Sequence, residues 1–279
     1  MKLATIRSAN GHRAVRIDDH EAVETGHVDV VALLRDPQWR AKAAIASGPR
    51  HPLDSVAYAP VVPEPQKIIC VGLNYRTHVL EMGHDLPFFP TLFAKFPPAL
   101  LGAFDDIVVP ADSTALDWEA ELGLVVGSPI RHATREAAAA AIAGYTVVND
   151  VTARDWQHRT AQWLQGKTFE STTPVGPWLV TVDPGSEPAS YPISCTVDGE
   201  TMQAAHTQDL VFDPVTLVEY ISTFITLVPG DLIATGTPGG VGHARTPPRY
   251  LVDGSTVVTH VEGIGTCINH CRAEPKAFT

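Results

Sequence analysis

The sequence predicts a mixed β protein with some α-helix. Three observations carry that expectation. Short apolar runs bounded by Gly, Pro and Asp-Gly or Asn-Gly turns recur along the chain, few segments carry helix-capping signals, and strands and helices do not alternate with the regularity of a doubly wound sheet. Lys2–Arg7 and Arg13–Ile17 flank Asn10-Gly11, a pair that favours a hairpin turn. A short helix is expected around Val28–Arg35. Pro60-Val61-Val62-Pro63-Glu64-Pro65 fits neither a ladder nor a helix, so it reads as a connector. The domain boundary is placed there, with a small N-terminal domain over 1–64 and the main domain over 65–279.

Beyond the connector, Lys67–Gly72 reads as a buried strand, Arg76–Met82 as a short helix ended by Gly83, and Thr91–Phe96 as a strand stopped by Pro97-Pro98. Trp118–Val126 is apolar with carboxylates inserted. Thr134 caps an alanine-rich helix expected to run to about Ala143, closed by Gly144, with a strand over Tyr145–Asn149. Trp178–Val182 and Ile193–Val197 read as strands, the second followed by an Asp198-Gly199 turn. Asp213-Pro214 is a cap followed by a first-turn proline, opening a helix expected to reach about Leu227, where Pro229-Gly230 stops it. Asp231–Thr235, Thr256–Ile264 and Thr266–Asn269 complete the strands.

Composition narrows the function. The 279 residues are 44% hydrophobic, and no apolar run approaches the ~20 residues of a membrane span. Twenty basic against 31 acidic residues give a net charge of −11, which argues against a sequence-blind nucleic-acid binder. An anionic small substrate stays possible, because a metal or a few local cations reverse the sign inside a pocket. The first residues carry no secretory pattern, and the four cysteines form no CxxC, so a reducing, cytoplasmic setting is expected. Cys267 and Cys271 flank His270 and read as buried thiols in preference to zinc ligands.

Five segments could carry chemistry. In Asp117-Trp118-Glu119-Ala120-Glu121, a strand would place Glu119 and Glu121 on one face. Two close carboxylates repel, and a shared divalent cation with oxygen ligands resolves that; the alternative is an edge strand with both in water. Asp150 ends an apolar strand and is either a third carboxylate or a turn cap. His78 and Glu81, at i and i+3, would be neighbours on a helix, forming either a water-activating pair or a surface contact. Gly166-Lys167-Thr168 lacks the spacing of a phosphate loop; Lys167 either stabilises negative charge or is a solvated lysine. The Gly236–Gly242 segment either lets backbone amides approach an anion or is a plain glycine-rich loop.

The order of these pieces is what is distinctive. Cys70-Val71-Gly72-Leu73-Asn74-Tyr75, His78, Glu81, Phe93-Ala94-Lys95, Glu119-Ala120-Glu121, Gly144-Tyr145, Asn149-Asp150, Ala153-Arg154-Asp155, Gly166-Lys167 and Ala234-Thr235-Gly236-Thr237-Pro238-Gly239-Gly240-Val241-Gly242 together resemble the fumarylacetoacetate hydrolase family over residues 65–272. The resemblance implies that family's β-roll of mixed sheets, with the N-terminal segment as a variable addition. It implies Mg²⁺ or Mn²⁺, with Ca²⁺ also accepted, held by Glu119, Glu121 and Asp150. Arg154, Gln157, Lys167 and Thr237 would surround a 2-oxo or 2,4-dioxo acid, His78 and Glu81 would activate water on a mobile lid, and the assembly would be a homodimer. Two departures stand out. Val71-Gly72-Leu73-Asn74 offers no fourth carboxylate, so waters are expected to complete the coordination, and Thr77 stands where the family is often acidic. Phe88-Phe89-Pro90 and Pro97-Pro98 are expected to shape an apolar acyl pocket.

The leading expectation is a metal-dependent hydrolase that cleaves a C–C bond in acylpyruvate- or fumarylacetoacetate-type 2,4-dioxo acids, with His78 and Glu81 activating water and Lys167 facing the enolate. The alternative is a decarboxylase or an isomerase/tautomerase of 2-oxo diacids, of the oxaloacetate or aromatic-catabolism type. One site chemistry serves all of these, and the fold does not choose among them. A third reading, from another class, is a catalytically inert metal-stabilised binding protein.

Overall fold

The computed structural model of the chain describes residues 1–81, 83, 85–185 and 190–274. The Lys2–Ser8 and Gly11–Ile17 strands pair antiparallel, with Ser8 opposite Gly11. The hairpin loop is Ala9-Asn10, and Gly11 takes the positive φ of 96° that such a tight reversal needs. Asp198-Gly199 makes another tight hairpin, both residues at positive φ. The Val30–Leu34 helix packs against the two N-terminal strands, and its Asp29 cap accepts from Ala32 N–H at 2.7 Å.

Ten strands follow one path in the main sheet, in the order Arg50–Pro52, Glu21–Glu24, Gly11–Ile17, Lys2–Ser8, Thr173–Thr181, Ile142–Asn149, Ala120–Val126, Leu232–Ala234, Ile68–Gly72 and Thr91–Lys95. Neighbours are antiparallel except Leu232–Ala234 and Ile68–Gly72, which run parallel. The N-terminal strands join through Leu3 opposite Leu179. A five-stranded sheet, Glu200–His206, Pro192–Val197, Thr256–Val261, Gly265–Ala273 and Ile107–Val109, packs on one face. The short pair Leu116–Asp117 and Thr152–Ala153 stands apart.

The Ala120–Val126 strand is buried along its whole length, because both of its faces are covered. Leu122 and Leu124 enter a core with Val147 of the neighbouring strand and with Cys195, Val257 and Cys267 of the facing sheet. Val125 enters a second core with Val148, Leu179, Val31 and Leu33, closed by the N-terminal segment. Continuous apolar patterning, rather than alternation, is what a doubly covered strand requires. Glu121 shares the face of Val125, so its carboxylate is carried into the interior.

Some boundaries differ from the sequence expectation. The helix capped by Thr134 ends at Ala141, and Gly144 lies inside the Ile142–Asn149 strand. A Cβ on Gly144 would stand 2.1 Å from Val180 O, so the glycine serves a close strand approach and not a helix stop. The Asp213-capped helix ends at Ser222, where the chain turns to bridge Leu227 to Ile130. The helix after Tyr75 spans Arg76–Glu81; Met82, expected in it, lies outside the described residues. Cys195, Cys267 and Cys271 are buried free thiols with protonation held by burial, in keeping with hydrophobic side chains. Among the described residues no helix is long and apolar enough to cross a membrane.

Candidate active site

The carboxylates of Glu119, Glu121 and Asp150 converge, each offering an oxygen within 4.8 Å of the others, and all three residues are buried. Their positions come from adjacent strand ends. Glu121 is the second residue of the Ala120–Val126 strand, and Asp150 follows directly on the neighbouring Ile142–Asn149 strand. Glu119 was expected inside the first strand but precedes it. Its N–H donates to the Asn149 side chain at 2.8 Å, and its carbonyl accepts from Asp150 N–H at 2.8 Å. The side-by-side placement therefore survives, although an amide side chain replaces a ladder bond. The solvated edge-strand alternative for the two glutamates is excluded by their burial.

Cations surround the cluster. Lys167 Nζ lies 2.7 Å from both Glu119 Oε2 and Asp150 Oδ2, and Lys95 Nζ lies 2.7 Å from Asp150 Oδ1. Arg154 Nη2 lies 2.7 Å from Glu119 Oε1, while its Nε donates to Asp117 Oδ2 at 2.8 Å and its Nη1 to Gln157 Oε1 at 3.0 Å. Lys167 is 1% exposed and stands over the Phe93 ring, so it is not a solvated lysine. It ends the short Leu164–Lys167 helix, where Gly166 packs so tightly that a Cβ would meet Gln157 N at 2.4 Å and Ala153 O at 2.5 Å. That close approach is the physical content of the Gly-Lys pair.

The groups titrate accordingly. Burial pushes the Glu121 carboxyl well above the usual carboxylate range, reinforced by Asp150 and Glu119; the Lys167 charge and the Gly236 N–H, which donates to it at 2.8 Å, oppose the shift. For Asp150 burial acts the same way, but Lys167 and Lys95 reverse it and hold the group below its ordinary value. Burial lowers Lys167, and Asp150 and Glu119 outweigh it, so the ammonium is held charged. Arg154 is likewise raised, by Glu119 and Asp117 against burial. Buried ion clusters of this kind are poor devices for stability, because desolvation opposes the attraction. An all-oxygen triad in which one carboxylate has no ion pair among the described residues suits a hard divalent cation.

The glycine-rich segment after Ala234 does place amides against anions, but the anions are the protein's own. Gly236 N–H serves Glu121, and the Gly242 and His243 N–H groups serve Asp117 at 2.7 and 2.9 Å. Gly236 has φ of 101°, and a Cβ there would stand 2.9 Å from Val71 O. Thr237 donates to Ala120 O and accepts from Gln203, which also receives Ala120 N–H.

A cavity of about 210 Å³ opens on this cluster. Glu119, Arg154, Gln157, Lys167, Thr237 and His78 all reach it, with Phe93 and Trp163 among its apolar walls. His78 also lines a larger cavity of about 760 Å³, together with Glu81. His78 and Glu81 both face Gly239, where a Cβ would stand 3.2 Å from His78 Nδ1 and 3.4 Å from Glu81 Oε2. Burial lowers the His78 pKa, against the opposing pull of Glu81 and Glu119. Phe88-Phe89-Pro90 and Pro97-Pro98 do not line either cavity. Phe88 is 92% exposed, and Phe89 packs toward Tyr220. The apolar wall comes from Phe93 and Trp163, whose rings meet edge to face at 5.4 Å. Lys95, Asp117 and Gln203 were given no role by sequence reasoning. For Asp117 a signal was present, since it stands at i−2 and i−4 from the two glutamates.

Fold and site define a protein of mixed sheets with a buried carboxylate triad ringed by Lys and Arg. Comparison with known proteins places it: the family described as fumarylacetoacetate (FAA) hydrolase C-terminal matches residues 67–272. The chain is 42% identical over 229 residues to the mitochondrial oxaloacetate tautomerase Fahd2a of Rattus norvegicus, covering 82% of this chain and 73% of that protein. Among solved structures, it resembles a 5-carboxymethyl-2-hydroxymuconate delta-isomerase from Mycobacterium smegmatis (TM-score 0.83, 34% identity, 98% of this chain and 100% of that one). It also resembles a fumarylacetoacetate hydrolase from the psychrophilic Exiguobacterium antarcticum (TM-score 0.87, 33% identity, 98% and 100%). The chain belongs to the fumarylacetoacetate hydrolase family.

Proposed function

We propose that this protein tautomerises a 2-oxo dicarboxylic acid of the oxaloacetate type, with Glu119, Glu121 and Asp150 holding Mg²⁺ or Mn²⁺. The observation that carries the reading is the buried triad beside a charged, buried Lys167, on a cavity that His78 also reaches. Relatives named as oxaloacetate tautomerases, and a structural neighbour named as an isomerase, favour this over C–C hydrolysis. When bound, the cation supplies Lewis-acid polarisation of the 2-oxo group.

The chain's own residues do the rest. Arg154, fixed by Asp117 and Gln157, presents positive charge to the substrate carboxylate. Lys167 faces the oxygen on which enolate charge develops. His78, kept neutral by burial, takes a proton from C3 and returns one to oxygen, or runs the reverse, so that no atom is gained or lost. Glu81 steadies the imidazole from the same helix turn. A second reading, hydrolysis, draws on the larger cavity, through which water can reach His78, and on the hydrolase likeness.

One experiment separates them. Purified protein with Mg²⁺ is given oxaloacetate and acetylpyruvate, and enol–keto conversion, CO₂ and acetate are followed in parallel. Accelerated enol–keto conversion without acetate is expected; acetate from acetylpyruvate would favour the hydrolase, CO₂ a decarboxylase, and inertness a binding protein. A homodimer in the cytoplasm is the assembly and location this reading carries, tested by light scattering and cell fractionation.

A further inference from the structure

Two histidines outside the proposed proton-transfer machinery stand on the wall of the 210 Å³ cavity. His158 and His243 face each other with ring centroids 5.4 Å apart and a 35° tilt. They come from distant parts of the chain, yet both are built onto one buried ion pair. His158 N–H donates to Arg154 O at 3.2 Å, His243 N–H donates to Asp117 Oδ2 at 2.9 Å, and Arg154 Nε donates to the same Asp117 oxygen. The His243 ring is further set by Tyr250, whose hydroxyl lies 2.9 Å from Nδ1. With that hydroxyl donating, Nε2 carries the imidazole proton as a free donor. Among the described residues the two rings contact each other and Tyr250. Burial lowers the His158 pKa, and His243, Arg154 and Lys167 lower it further, although the Arg154 and Lys167 charges are themselves paired with Asp117, Glu119 and Asp150.

We propose that His158 and His243 bind the second carboxylate of the substrate and make the site select 2-oxo diacids over 2-oxo monoacids. The inference rests on the proposed 2-oxo acid site and names the residues that set its substrate class. The cavity is small beside the ~300–1,000 Å³ of ordinary ligand pockets, which suits a short diacid spanning from the carboxylate triad to the imidazole pair. A monoacid leaves the two donors facing water, and a diacid gives them a charged acceptor.

The test measures binding apart from turnover. Calorimetry on the Mg²⁺-loaded protein compares malate with lactate, 2-hydroxy acids that do not enolise and differ in the second carboxylate. His158→Gln/His243→Gln is expected to weaken malate by about tenfold or more, the scale of a lost charge-assisted hydrogen bond, and to leave lactate within about twofold. Tyr250→Phe, which frees the His243 ring, is expected to fall between. In kinetics, the double variant raises KM for oxaloacetate and leaves kcat nearly unchanged, while C3 deuterium exchange into 2-oxobutanoate is unaffected. Equal loss for malate and lactate, or no loss for either, overturns the proposal. If the wild-type protein turns over no 2-oxo acid but malate binding still depends on the pair, the catalytic reading falls and this one stands.

Discussion

The Lys95 ammonium lies 2.7 Å from Asp150 Oδ1, deep in the protein, and also donates to Val151 O at 3.1 Å. The other oxygen of the same carboxylate faces Lys167. Asp150 is thus held as an anion from two sides and presented to Glu119 and Glu121 in fixed orientation. Lys95→Met removes one of these two cations and leaves Asp150 paired with Lys167 alone, a destabilisation expected to stay below the about 3–5 kcal/mol of a fully uncompensated buried charge. Urea unfolding is expected to show that loss, with partial recovery on adding Mg²⁺.

Three carboxylates within one sphere repel when no cation joins them. Glu121→Gln removes one charge and one ligand together. Its Mg²⁺ affinity, by calorimetry, is expected to fall at least tenfold. Chelation with EDTA should lower the Tm of the wild-type protein by more than that of the variant, because the wild type loses bound-ion stabilisation and regains the repulsion. Equal shifts would remove Glu121 from the ligand set.

Burial holds the His78 pKa below the ordinary histidine value. Protonation is therefore disfavoured in the folded protein. The associated stability is present above the unfolded value and is lost as pH falls through the folded one. For activity the sign is the same: kcat/KM should hold at neutral pH and drop on acidification only below the ordinary histidine range. His78→Gln is expected to lower kcat by about 10²–10⁴-fold and to abolish that acidic limb. A limb that persists in the variant would assign it to another group.

Gly166→Ala drives a methyl group into backbone atoms of Gln157 and Ala153. The 164–167 turn must then move, carrying Lys167 away from Glu119 and Asp150. A destabilisation of about 1–3 kcal/mol is expected, with a larger proportional loss of kcat than of stability. Gly239→Ala is milder, since its Cβ would meet the His78 and Glu81 side chains at 3.2 and 3.4 Å. It should reduce kcat while leaving the urea midpoint nearly unchanged.

Much was legible where the physics is local. Thr134 and Asp213 each cap a helix with the bond their position predicts, because a cap depends on three or four consecutive residues. The strands around Ile68, Thr91, Ala120 and Ile193 were legible from apolar runs ended by Gly and Pro. Helix ends were less so. The helices from Arg135 and Pro214 stop at Ala141 and Ser222 because the chain is recruited into a strand in one case and a bridge in the other. Phe88 and Phe89 misled for a related reason: apolar character says nothing about which wall a side chain reaches.

By itself the sequence determined the order of the chemical pieces and the pairing of Glu119 with Glu121, since neighbours in a chain remain neighbours in space. Tertiary structure alone decided that Asp150, Lys95, Lys167 and Arg154 meet there, and that His158 and His243 face each other on the same cavity. Those contacts join residues from 17 to 85 positions apart. They exist because a strand covered on both faces carries its carboxylates out of water, where a charge persists only beside its opposite.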